Sequence, residues 1–296
     1  MRKVVTTYIN PDMDGISLMY AYTEFLRKKN ENAEIVLKTF NINLNNIAKI
    51  ENDDKIVLVD TNYLSKISKN IKPENIVEVI DHHNKESWLA ENPNIKTQIE
   101  PIGAAATLVA ERFKNEDIDI SKESAILLYY GIISNTMNLK IKLTSQRDIE
   151  MAKWLKSKVP KITDEITTEI FIKKSQIGDN LRIEMEVESK DQFMTISWSI
   201  GQLEIANVEN FLDKYENDIR KILDRVCVEN NVDYISVNCM DIINGYSVII
   251  ARDEKTAKVI YDAVGYEFKD LKAKTDELVS RKEIVNVVRK MYKKNL

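Results

Sequence analysis

A chain of 296 residues, 44% hydrophobic and 30% charged, is long enough for two domains, each with its own buried core. Its net charge of −4 excludes a general polyanion-binding surface, so long nucleic acid is not an expected partner. No apolar run approaches the ~20 residues that span a bilayer, so no membrane is expected either.

The first 150 or so residues alternate β-branched runs with helical stretches, the pattern of an α/β domain with a largely parallel sheet. Val4-Val5-Thr6-Thr7-Tyr8 reads as a strand, followed by Asn10-Pro11-Asp12-Met13-Asp14-Gly15 and a helix from Ile16 to about Lys28. Ala33 to Leu37 reads as a second strand. Asp54 to Asp60 reads as a third, nearly all apolar and so central. Ile76 to Ile80 is a fourth, ending at Asp81. Helices are predicted over Ala104–Phe113 and Lys122–Ile133, and from Asp148 through Trp154 towards Lys158, where Pro160 breaks the pattern.

A stretch from about Ile162 to Lys174 looks helical and would connect to a second domain. Leu181 to Glu188 and Phe193 to Ser199 alternate with period two, and Ser189-Lys190-Asp191-Gln192 reads as the turn of a hairpin between them. A helix over Val208–Glu229 follows. Tyr234–Val237 and Tyr246–Ile250 read as strands flanking an Asn244-Gly245 turn. Helices at about Ala257–Val264 and Arg281–Lys293 close the chain. Cys227 and Cys239 sit in apolar contexts, and Met1-Arg2-Lys3-Val4-Val5 lacks a long apolar leader. Buried free thiols in a reducing, cytoplasmic compartment are the expectation.

Three of the predicted strands end in carboxylates: Asp12 and Asp14 after the first, Asp60 after the third, Asp81 after the fourth. Ile80-Asp81-His82-His83 also holds the only two histidines of the chain. Ligand crevices of open α/β sheets lie beyond the carboxyl ends of the strands, so four acids and two imidazoles converge on one rim. An Asp-x-Asp pair alone often does no more than cap a helix. A charge ending a buried central strand calls for a partner, and Asp-His-His offers metal-ligand chemistry beside it. Oxygen and nitrogen donors without thiolate suit Mn²⁺, Mg²⁺ or Co²⁺ better than a structural zinc. Two such ions ~3.5–4 Å apart form the clamp used in phosphoryl hydrolysis.

The motifs Asn10-Pro11-Asp12-Met13-Asp14, Leu58-Val59-Asp60, Asp81-His82-His83-Asn84 and Ile133-Ser134-Asn135-Thr136 resemble the four ordered motifs of the DHH phosphoesterase superfamily. Glu78 to His83, Glu100-Pro101-Ile102-Gly103-Ala104-Ala105-Ala106-Thr107 and Gly201-Gln202-Leu203-Glu204 resemble the manganese-dependent (family II) inorganic pyrophosphatases. Leu278-Val279-Ser280-Arg281-Lys282 resembles the signature of the DHHA2 domain. The resemblance implies a catalytic DHH domain over 1–178 and a smaller α/β DHHA2 domain over 179–296. The active site would lie in the cleft between them, and the chain would form a homodimer. It makes Asp12, Asp14, Asp60, His82 and Asn135 metal ligands, with Asp60 bridging two ions. Asp81 would fix an imidazole tautomer. His83 would contact the phosphate, while Arg281, Lys282 and Arg182 would clamp it; Lys190 is an alternative to Arg182.

The implied activity is hydrolysis of a phosphoanhydride, pyrophosphate or polyphosphate, by a water that metal ions activate. Asp60 and His83 would be the catalytic residues, with Mn²⁺ (or Co²⁺ or Mg²⁺) at two sites. The alternatives are a phosphodiesterase on short or cyclic nucleotides, and a catalytically attenuated member that binds a phosphate ligand. Two positions depart from the pyrophosphatase pattern, which has histidine where this chain has Tyr8 and aspartate where it has Asn135. Each of the two sites would thereby lose one good ligand, so one of them would be weak.

Overall fold

The computed structural model describes residues 2–9, 11–35, 50–175, 190–193 and 196–294. They divide into two compact units, one of Met1–Leu139 with Leu143–Ile162, the other of Lys140–Lys142 with Thr163–Leu296. Both are α/β.

In the first unit β1 (Lys3–Thr6), β2 (Ala33–Ile35), β3 (Lys55–Val59), β4 (Ile76–Asp81) and β5 (Lys96–Ile99) form one sheet in the order β2-β1-β3-β4-β5. Every pairing is parallel. Ile56, Val57, Leu58 and Val59 are all fully buried, as a central strand covered on both faces must be. Helices α1 (Met13–Lys28), α2 (Ala105–Asn115), α3 (Lys122–Asn135) and α4 (Gln146–Lys158) belong to the same unit. The strand β5 was not anticipated from the sequence. Its Lys-Thr-Gln-Ile is polar because it is an edge strand whose first two residues are exposed. Helix α1 starts three residues earlier than expected, because Asp12 is its N-cap and accepts from the amides of Asp14 and Gly15.

The second unit holds α5 (Asp164–Lys174), β6 (Lys190–Phe193), β7 (Ile196–Ile205), α6 (Val208–Asn230), β8 (Tyr234–Asp241), β9 (Tyr246–Ala251), α7 (Glu254–Val264), β10 (Lys272–Lys274) and α8 (Arg281–Lys294). Its sheet, in the order β10-β9-β8-β7-β6, is mixed, with β7–β8 parallel and the other pairs antiparallel. One face packs on α6 through Ile219, Leu223 and Val226. The other face carries Trp198, Ile200 and Tyr234 against Ile260, Ile284 and Val288 of α7 and α8. The turn expected at Ser189–Gln192 is a correction: Lys190–Phe193 is strand, paired Lys190↔Ser199 to Phe193↔Ile196. Charged and amide side chains that read as a turn are also what an edge strand carries. The alternating run Leu181–Glu188 lies outside the described residues. The two compact units part at Ile162/Thr163, and α5 packs on β7. Among the described residues no helix is long and apolar enough to cross a membrane.

Candidate metal centre

The rim at the carboxyl ends of β1, β3 and β4 gathers the acids and imidazoles of the first unit. Asp60 directly follows β3 with φ of 56°, a left-handed conformation that short polar side chains tolerate best. Its amide donates to Ile80 O at 2.8 Å, which holds the turn against β4. Asp60 is 2% exposed. Asp60, His82 and His83 each bring a ligand atom within 4.8 Å of the others, the one such cluster of three among the described residues.

Both imidazole orientations are fixed by what touches Nδ1. In His82, Nδ1 lies 3.0 Å from Ile102 O. A carbonyl only accepts, so that nitrogen carries a proton, and in the neutral ring Nε2 presents its lone pair, 3.5 Å from Asp60 Oδ1. Two acceptors facing each other at that distance in a buried place repel unless a proton or a cation lies between them. The site therefore fits a divalent ion, and its oxygen and nitrogen donors suit one.

His83 takes the other route. Its Nδ1 donates to Asp81 Oδ1 at 2.7 Å. Asp81 is fully buried and also receives the amides of His82 and His83 and the Asn62 side chain. Burial pushes the Asp81 carboxyl up, but the hydrogen bonds from His83 and Asn62 outweigh it and hold the group below the usual carboxylate range. Asp81 is thus an ionised holder of the His83 ring.

Asp14 is buried at 1% exposure. Its two oxygens accept from the first amides of α2, Ala105 N at 2.8 Å and Ala106 N at 2.9 Å. Burial, and then the charge of Asp12, raise its pKa to about 8, more than the two amides recover. The neighbouring amides of Gly103 and Ala104 go to Asp148 Oδ2 and Oδ1, at 2.9 and 3.3 Å. Ala104, the N-cap of α2, offers no capping side chain. Two buried carboxylates from α1 and α4 take over that task, and the small residues Gly103-Ala104-Ala105-Ala106 let them approach.

Asn135 ends α3 with its Nδ2 3.1 Å from Asp14 Oδ2, 3.3 Å from Gly103 O and 3.4 Å from His82 Nε2. Three acceptors around one nitrogen identify it as the NH₂ end. In this orientation Asn135 offers the cluster hydrogens and no lone pair. Tyr8 OH accepts from Asp12 N at 3.0 Å, and burial with the charges of Asp12 and Asp60 drives its pKa far up, so the phenol stays neutral.

The structure thus brings Asp12, Asp14, Asp60, His82, His83 and Asn135 into the first unit around one rim. Arg281 and Lys282 open α8 of the second unit. The N-terminus of that helix is closed by a capping box, with Glu283 N donating to Ser280 Oγ and Ser280 N to Glu283 Oε2. Arg281 N donates to Gln202 Oε1 at 2.8 Å, and burial lowers the guanidinium pKa. Arg182 lies outside the described residues. The sequence reading passed over Asn62 and Asp148, whose only local signal is the Ser145–Asp148 capping box.

An Asp-His-His cluster at the carboxyl rim of a parallel sheet, with acids on the adjoining helix, defines a candidate metallo-phosphoesterase centre. Residues 2–132 match the DHH family, N-terminal domain. That match falls within the first unit. It is 27% identical over 297 residues to a "Probable manganese-dependent inorganic pyrophosphatase" of Clostridium acetobutylicum, covering 95% of this chain and 94% of that one. A protein of the same description from Streptococcus mutans is 28% identical over 296 residues, covering 93% and 94%. The fold is shared with the "putative family II inorganic pyrophosphatase" of Methanococcus jannaschii, with a TM-score of 0.69 at 23% identity over 98% of this chain and 99% of that one. An exopolyphosphatase-related protein from Bacteroides fragilis aligns with a TM-score of 0.50 at 15% identity, over 99% and 92%.

Proposed function

We propose that this protein is a metal-dependent hydrolase of phosphoanhydride bonds, with inorganic pyrophosphate or a short polyphosphate as substrate and Mn²⁺ as the preferred ion. The observation that carries the reading is the Asp60–His82–His83 cluster, in which the carbonyl of Ile102 leaves His82 Nε2 as a lone-pair donor beside Asp60. Whole-length similarity to proteins described as manganese-dependent pyrophosphatases supports the same ion and substrate class.

Asp60 and His82 would hold the ion, with Asp12 and Asp14 as the acids available to a second one. A divalent cation there supplies Lewis acidity, neutralising phosphate charge and making a water nucleophilic at neutral pH. His82 stays oriented through Nδ1 and gives no proton. His83, its ring held through Nδ1 by the Asp81 carboxylate, would face the phosphate or its leaving group.

The second reading, an attenuated member that binds a phosphate ligand, is favoured by one observation. Asn135 turns its NH₂ towards Asp14 and His82 where a ligand oxygen would be needed. The deciding experiment is phosphate release from pyrophosphate with saturating Mn²⁺, beside an Asp60→Ala control. Turnover that the control abolishes supports the hydrolase. Release no greater than the control refutes the pyrophosphatase and directs the assay to tripolyphosphate, cyclic dinucleotides and direct binding.

A further inference from the structure

The loop that ends β5 and opens α2 separates the metal centre from a buried carboxylate with no place in the chemistry above. Asp148, the third residue of α4, has no exposed surface. Five donors converge on it: the amides of Gly103 and Ala104, the amide and hydroxyl of Ser145, and the hydroxyl of Thr107. The Ser145 contacts form the capping box of α4, and a helix cap needs nothing more. The contacts to Gly103 and Ala104 are additional, reaching across 45 and 44 positions of sequence.

Those two amides belong to the same peptide units whose carbonyls face the metal centre. In the Ile102–Gly103 peptide, N–H donates to Asp148 Oδ2 at 2.9 Å while C=O accepts His82 Nδ1–H at 3.0 Å. In the next peptide, Ala104 N–H donates to Asp148 Oδ1 at 3.3 Å while Gly103 C=O accepts from Asn135 Nδ2 at 3.3 Å. The peptides are trans, so donor and acceptor point in opposite directions across each plane. A carboxylate on the amide side polarises the carbonyl on the other, and hydrogen bonds arranged in series strengthen one another. Gly103 is the residue that permits this spacing. A Cβ there would stand 2.8 Å from Asp148 Oδ2 and 2.7 Å from Thr136 Cγ2.

We infer that Asp148 is a positioning residue for the metal centre, acting through the two peptides around Gly103 to fix the ring orientation and tautomer of His82 and the aim of the Asn135 amide. The inference rests on the reading of His82 as a metal ligand only for its consequence in binding; the tautomer itself is a property of the metal-free protein. Outer groups that orient a ligating histidine contribute ~10–100-fold to metal affinity, a range set by carboxylates and carbonyls in direct contact. Asp148 acts one step further out, so the lower end is expected.

With two histidines in the chain, selective ¹⁵N labelling gives a spectrum of two imidazoles, in which protonated and lone-pair nitrogens are distinguished directly. In the full-length, metal-free protein His82 should show a single tautomer with the proton on Nδ1. Asp148→Asn offers one acceptor oxygen to the two loop amides and turns an NH₂ against the other. It should mix the two tautomers and raise the dissociation constant for Mn²⁺ about 10-fold. Gly103→Ala, which drives a methyl between the loop and the carboxylate, should do the same, and it decides the matter if Asp148→Asn does not fold. Ser145→Ala, which removes the α4 cap and leaves both loop contacts, should change neither readout. A folded Asp148→Asn protein with His82 still locked and Mn²⁺ affinity unchanged overturns the inference, as does a Ser145→Ala protein that matches it. Wild-type protein that binds no Mn²⁺ refutes the metal reading instead, and the tautomer comparison still decides the role of Asp148.

Discussion

Gly131 sits in α3 where α1 and α2 meet it directly beneath the acids of the rim. Replacing it with alanine sets two effects of opposite sign against each other. In a helix interior, Gly→Ala is worth ~1 kcal/mol of propensity. Against that, the added Cβ would lie closer than 3.0 Å to Ser17 Oγ, 3.2 Å from Ala106 Cβ and 3.3 Å from Asp14 Oδ1. Ser17 is fully buried and its hydroxyl donates to Asp14 O at 2.9 Å, so it has nowhere to withdraw. Overpacking of this kind costs ~1–3 kcal/mol, and losing the Ser17 hydrogen bond costs ~1 kcal/mol more. The steric side wins, and Gly131→Ala should destabilise the protein by roughly 1–3 kcal/mol in urea unfolding. It should also weaken Mn²⁺ binding, because the displaced atoms are those that hold Asp14. Ser17→Ala removes the obstruction, so the double variant should recover at least ~1 kcal/mol over Gly131→Ala, a coupling normal for residues in contact. A Gly131→Ala protein more stable than the wild type by the propensity term alone would refute the reasoning.

Glu78, 4% exposed, receives Tyr22 OH at 2.9 Å, Arg112 Nη1 at 2.7 Å and Lys96 Nζ at 3.1 Å. Burial raises its pKa, but Arg112 and Lys96 more than compensate and hold it below the ordinary value. A lowered carboxyl pKa contributes stability above the unfolded value of 4.5 and loses it as pH falls through the folded one. Glu78→Gln should therefore cost about 3 kcal/mol at pH 7 by stranding Arg112. That gap should narrow steadily below pH 4.5, as urea midpoints at pH 7 and pH 3 would report; a gap independent of pH would contradict it. Tyr8→His with Asn135→Asp exchanges a neutral phenol and an amide donor for ligand groups. A carboxyl at position 135, where Asn135 Nδ2 now lies 3.1 Å from Asp14 Oδ2, would share a proton with Asp14 and lose the hydrogen bond the amide gives it. The metal-free variant should melt lower than the wild type, while its Mn²⁺ affinity by calorimetry should rise at least ~10-fold; unchanged affinity would remove Asn135 from the ligand sphere.

Much of this architecture is legible because the central strands carry their own signal. The runs Lys55–Val59 and Ile76–Asp81 are β-branched and end in charges, which fixes both their position and the side of the sheet on which chemistry accumulates. Lys96–Ile99 escapes, because an edge strand needs no apolar face to be recognised by. Lys190–Phe193 is misread as a turn for the same reason. At the site, Asp60, His82 and His83 could be placed because each lies within two residues of a strand end and is of a type that ligates metals. Asn62 and Asp148 could not. Asn62 reaches Asp81 and Asn84 from the loop after β3, and Asp148 reaches Gly103 from the fourth helix. Neither contact leaves a local pattern, and Asp148 presents itself in sequence as nothing more than a helix cap.

Asp14 explains why a cation, rather than packing alone, suits this rim. Burial and Asp12 together carry its carboxyl to about 8, so near neutrality the protein is asked to hold either a proton or a charge that its own groups do not balance. The amides of Ala105 and Ala106 favour the charged form and recover only part of the cost. Asn135 adds hydrogen atoms but no positive charge. A few ångströms away, His82 Nε2 and Asp60 Oδ1 face each other as two acceptors. Apolar packing cannot satisfy either arrangement, and a lone proton satisfies only one of them at a time. Divalent ions would satisfy each, one held by Asp60 and His82 and a second held by Asp12 and Asp14, which would favour the ionised form of Asp14. The polar strain of the rim is thus the counterpart of a ligand, and it is concentrated in residues whose backbone positions the sheet, the α2 N-terminus and Asp148 already fix.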